Sequence, residues 1–219
     1  MDRWIYLKVN GTISALFMPW LCEQMCVAVS GSANDEAIYA SFFASYLGDQ
    51  IKKGGYSGHE MHHFLRQSIP LRPIAQADKG MMRALEAVLS EGTADLVDLE
   101  IWKEAAGSKD YFIKMTAASP GMLQQLNKDL EDMIPGKKGK DWNYFSTLFE
   151  GSSGHFPGSY MSAIMVRNGY RKEMLDHCDD PFAFVRIYNR AALKDNSKPP
   201  VFTEKAMRVI AELEKRYKK

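Results

Sequence analysis

His59-Glu60-Met61-His62-His63 sets two imidazoles four residues apart with a carboxylate beside the first, the spacing H-E-x-x-H. On a helix, residues i and i+4 share a face about one turn apart, so the His59 and His63 rings can grip one divalent ion. Zinc in a hydrolytic site takes three protein ligands and leaves a fourth position for water, whose pKa falls to about 7 when bound. A third ligand is therefore expected. Glu91 is the candidate, because Glu91-Gly92-Thr93-Ala94-Asp95 falls on a predicted second helix with Asp95 one turn later. A ligating histidine generally hands its other ring proton to a carboxylate that fixes its tautomer, and Asp95 is placed for that task. Glu60 points about 100° of helix rotation away from the His59 and His63 stripe. It can face water without ligating, as general base and then proton donor.

Other readings of the same residues carry less. Ser57-x-x-Glu60 also matches a capping box, which accounts for the glutamate and leaves two histidines unexplained. A chance H-E-x-x-H in a chain with five histidines has odds of about one in a hundred. Glu60-x-x-His63 could be half of a di-iron carboxylate site, but the sequence holds no second Glu-x-x-His. His62 stays open as ligand, substrate contact or solvated side chain.

The elements that must position these residues read as mainly helical. Asp35 onward has helical spacing through Ile38, Phe42, Ser45 and Tyr46, and a second helix is predicted from near Ser57. Helices follow over roughly 78–105, 120–133, 142–149, 158–168, 181–193 and 204–217. Ser119 before Pro120, Asp180 before Pro181 and Thr203 before Glu204 are predicted caps. Trp4 to Val9 and Cys26 to Ser30 have the β-branched and aromatic content of short strands, enough for a small N-terminal sheet. Residues 136–140 and 195–200 are polar, breaker-rich loops. Met81, Met82, Leu85, Val88 and Leu89 recur at helical spacing and are expected to be the core face of the Glu91 helix.

Composition narrows the function classes. A chain of 219 residues, 46% hydrophobic and 25% charged, fits one globular domain, 1–219. A net charge of +1 with scattered lysines and arginines argues against nucleic acid and anionic membrane as partners. The longest apolar stretch, Ala15 to Cys22, is too short to span a bilayer. Cys22, Cys26 and Cys178 are an odd set without a second spaced pair, and are expected to be buried thiols rather than zinc ligands. The Asp176, His177 and Asp179 cluster at a predicted helix end is stabilised by the helix dipole and takes no catalytic role.

With these residues in hand, the chain resembles the gluzincin metallopeptidases, the thermolysin-like class in which H-E-x-x-H is followed by a helix bearing Glu-x-x-x-Asp. More closely, His59 to Phe64, Glu91 to Asp98 and Gly154 to Met161 look like an uncharacterised bacterial family of zinc-dependent peptidases, over roughly Ile38 to Leu193. The resemblance implies a zincin-like helical catalytic domain with Zn2+ on His59, His63 and Glu91, Glu60 as base and Asp95 behind a histidine. It also implies a downstream histidine or tyrosine that stabilises the oxyanion, for which His155 and Tyr160, in a Gly- and Pro-rich turn entering a helix, are the candidates. A peptide or protein substrate follows. Such families usually have a longer N-terminal region with an export signal, so Met1 need not be the native start. Without a signal peptide the default is a cytoplasmic location, and export applies if the start was trimmed. The alternative is a non-enzymatic helical binding protein with a structural or degenerate metal site, which a closed fourth coordination position would favour. Oligomeric state is not legible.

Overall fold

The computed structural model describes backbone over residues 4–8, 12–17, 31–33 and 37–40, and residues 50–66, 68–104, 108–134 and 136–219. It is mainly helical. Among the described residues, eight helices run in order: α1 (Gly55–Leu65), α2 (Lys79–Glu104), α3 (Ser108–Glu131), α4 (Trp142–Leu148), α5 (His155–Arg167), α6 (Arg171–Asp176), α7 (Pro181–Lys194) and α8 (Glu204–Tyr217). The chain divides into two compact units, Met1–Gln67 with Ala94–Phe112 and Ser68–Thr93 with Ile113–Lys219. The division falls within α2 and α3, each of which is an unbroken helix.

In the first unit, extended backbone runs over β1 (Trp4–Lys8), β2 (Thr12–Phe17), β3 (Gly31–Ala33) and β4 (Ala37–Ala40). The helix predicted from Asp35 is not what forms at its start. Ala37-Ile38-Tyr39-Ala40 is extended, as its β-branched and aromatic centre favours. Phe42, Ser45 and Tyr46 lie outside the described residues, as do the strand predicted over Cys26 to Ser30 and both Cys22 and Cys26. α1 packs on β3 and β4.

The second unit is built around α7, whose Phe182, Phe184, Val185, Ile187 and Tyr188 are all buried. A helix apolar on nearly every side belongs in the middle of a core, and α5, α6 and α8 pack against it. Its start is set by Asp180, whose carboxylate accepts from the backbone N–H of Phe182 (2.9 Å) and Ala183 (3.0 Å), with Pro181 in the first turn. Thr203 caps α8 in the same way through Ala206 N–H, at 3.2 Å. Met81, Met82, Leu85, Val88 and Leu89 of α2 are buried as their spacing predicts.

Pro120 does not begin a helix. It lies inside α3, which runs from Ser108 to Glu131. The Ser119 hydroxyl, fully buried, is shared between the carbonyls of Met115 (2.6 Å) and Phe156 (2.7 Å). That contact to α5 offsets the ladder bond a mid-helix proline removes. Cys178, expected to be buried, is half-buried in the turn after α6.

Candidate metal centre

α1 begins at Gly55, two residues earlier than the sequence indicates, on Gly54 in the left-handed region with φ 73° and no side-chain cap. Ser57 and Glu60 are therefore both inside the helix, and the capping-box reading of Glu60 falls away. His59 and His63 share one face. Their Nε2 atoms stand 3.1 Å apart, with the rings edge-on at 4.8 Å between centroids. Both nitrogens are thus turned toward a common point.

Behind that pair, Asp95 Oδ1 faces His59 Nδ1 at 3.5 Å. This is longer than a settled hydrogen bond, and such bonds often tighten only in the loaded site. His59, Glu60 and Asp95 are 6%, 5% and 4% exposed, a concentration of polar groups that a core tolerates only when each has something to satisfy it. Gly58 allows the approach. A Cβ there would stand 2.7 Å from Val97 Cγ1, two residues beyond Asp95 on α2.

A second pair forms in the other unit, where His155 Nε2 lies 3.2 Å from Glu91 Oε2. His155 is the first residue of α5, which starts three residues before the predicted helix. It is helical rather than part of a presenting loop. Gly154 precedes it with φ 107°, a conformation open to glycine and strained for other residues. Gly92 and Gly158 meet face to face: a Cβ on Gly158 would stand 2.4 Å from Val88 O, and one on Gly92 2.5 Å from Gly158 O. Sequence reasoning missed this contact. The available signal was Gly92 inside a predicted helix, a placement that costs about 1 kcal/mol against alanine and so asks for a packing reason.

Tyr160 sits elsewhere on α5, about 140° of helix rotation from His155. Burial pushes its phenol above the ordinary range, with Arg167 opposing and Asp195 adding to the rise. It therefore belongs to the surroundings of the Arg167 and Asp195 pair, in which the Asp195 carboxylate accepts from Arg167 Nε at 2.6 Å. His62 stays beside His63, with ring centroids 6.2 Å apart.

The donor set fits zinc. Two nitrogens bound at about 2.0–2.1 Å to one tetrahedral zinc stand about 3.3 Å apart, close to the spacing of the histidine pair. Compared with known proteins, residues 22–197 match the model of a family described as "Putative zinc dependent peptidase". The chain belongs to that family. Membership makes zinc the cofactor, peptide hydrolysis the class of activity and a peptide or protein the class of substrate for this zinc peptidase. The matched span contains His59, Glu60, His63, Glu91, Asp95 and His155. No curated protein and no solved structure matches the chain. No helix among the described residues is long and apolar enough to cross a membrane.

Proposed function

We propose that this zinc peptidase is of the gluzincin kind, a zincin-like catalytic domain that holds zinc on His59, His63 and Glu91 and cleaves peptide bonds. The observation that carries the reading is the 3.1 Å separation of the His59 and His63 Nε2 atoms on the H-E-x-x-H helix, with His59 buried and His63 partly so. Glu91 enters through α2. It precedes Asp95 by one turn on the same face of an unbroken helix, and Asp95 already faces His59.

Zinc, when bound, supplies a Lewis acid and lowers the pKa of a coordinated water to about 7. Asp95 holds the Nδ1 proton of His59, which leaves the Nε2 lone pair for the ion. The Glu60 carboxylate takes a proton from the attacking water and returns it to the amide nitrogen, as the new C–O bond forms and the C–N bond breaks. The burial of Glu60 favours this role by restricting bulk water at the carboxylate.

Metal analysis and peptide turnover on the purified chain test the reading together. One zinc per chain, lost in His63→Ala, with hydrolysis of an unfolded protein substrate that depends on the metal, is the expected result. Zinc retained without turnover on any peptide would move the assignment to a structural metal site in a binding protein. A chain that neither carries nor takes up zinc would end it.

A further inference from the structure

We propose that His155 is a positioning residue for Glu91, holding one carboxylate oxygen so that the other is presented to the metal. The inference rests on Glu91 as a ligand. His155 Nε2 lies 3.2 Å from Oε2, and the two side chains are 26% and 18% exposed, so the pair is largely shielded from competing water. A carboxylate that ligates through one oxygen can rotate about its last bond, and a donor on the second oxygen removes that freedom.

The backbone is shaped to keep this donor in place. Gly154, Gly158 and Gly92 together clear the side chains from the crossing of α5 and α2: a Cβ on Gly154 would stand 2.7 Å from the Ala87 carbonyl, and the Gly92 and Gly158 backbones meet directly. One residue after His155, Phe156 O is held by the buried Ser119 hydroxyl of α3 at 2.7 Å. The first turn of α5 is thus fixed on two sides, and the imidazole on its first residue is aimed at the carboxylate one helix away. A histidine serving only to fill space would need none of this backbone contact.

Competition titration against a chromogenic zinc chelator, on the full chain at one pH, separates the roles open to His155. Wild type, His155→Ala and His155→Gln are compared, with thermal unfolding of each metal-free protein as the control for folding. Positioning predicts that His155→Ala weakens zinc affinity about 10- to 100-fold at an unchanged stoichiometry. His155→Gln, which keeps an N–H donor, recovers most of that loss. Unchanged zinc affinity in His155→Ala overturns the proposal, and a large loss of kcat alongside it would identify His155 as the oxyanion donor. Equal loss of zinc in both variants also overturns it and makes His155 a ligand in its own right. Failure of the wild type to bind zinc removes the ligand reading beneath it, a result distinct from either.

Discussion

At the scale of single residues, the proposed chemistry divides between two buried carboxylates on different helices. Glu60 and Asp95 are almost equally shielded from solvent, yet Asp95 faces a ring nitrogen whereas Glu60 sits beside the histidine stripe. Their substitutions should therefore separate. Glu60→Gln keeps shape and removes the base: zinc content stays at the wild-type level while kcat falls about 100- to 10,000-fold, as read by metal analysis and a peptide assay on one preparation. Asp95→Asn keeps the volume and removes the charge behind His59. It should weaken zinc binding about 10- to 100-fold, as measured by chelator competition. If Asp95→Asn leaves affinity unchanged, Asp95 does not orient His59.

At the scale of elements, α2 and α5 approach as closely as they do because both are glycine at the crossing. A methyl on Gly158 would press against backbone, at 2.4 Å from Val88 O and 2.7 Å from Gly92 N, and backbone cannot swing away as a flexible side chain can. Gly158→Ala should destabilise the protein by about 1–3 kcal/mol or more, lowering Tm by about 2–4 °C per kcal/mol in a chain of this size. Differential scanning of the metal-free protein measures it, and an unchanged Tm would mean that the two helices are not in contact. Pro120 makes the same point in reverse. Its ring and missing N–H oppose a mid-helix position, and the buried Ser119 contact to Phe156 O is one of the tertiary contacts set against that cost.

At the scale of the molecule, stability should depend on both metal and acid. An ion that binds only the folded chain stabilises it by RT ln(1 + [L]/Kd), about 2.7 kcal/mol at a hundredfold excess over Kd. A chelator should thus lower Tm, and zinc should restore it. Acid acts on carboxylates outside the proposed centre. The Arg167 guanidinium, helped by Ser197 and Asn168, holds the Asp195 carboxyl far below the ordinary carboxylate range. Burial would raise Asp180, but Lys218 and the N–H groups of Ala183 and Phe182 prevail and lower it. Each group binds fewer protons folded than unfolded, so its contribution is complete above the unfolded pKa of about 4 and disappears as pH falls through the lowered folded value. Asp195→Asn should lower stability at neutral pH by about 1–2 kcal/mol, a figure kept small by the exposure of Arg167. It should also flatten the fall in Tm below about pH 5. A parallel acid profile in variant and wild type would argue against the Asp195 assignment.

The sequence by itself determined what depends on rotation within one helix. Two histidines four apart share a face, a glutamate one residue on lies off it, and Glu91 and Asp95 share a face of the next helix, because 3.6 residues per turn leaves no other arrangement. Caps such as Asp180 and Thr203 were legible for the same local reason, since the oxygen and the N–H it serves are two or three residues apart. Only the tertiary structure decided that His155 meets Glu91, that α5 starts at His155 and that α3 runs through Pro120. Each of these is settled by atoms from segments far apart in the chain: Gly92 against Gly158, Gly154 against Ala87, Ser119 against Phe156. Local preference carries no information about those partners, which meet only when the chain has folded.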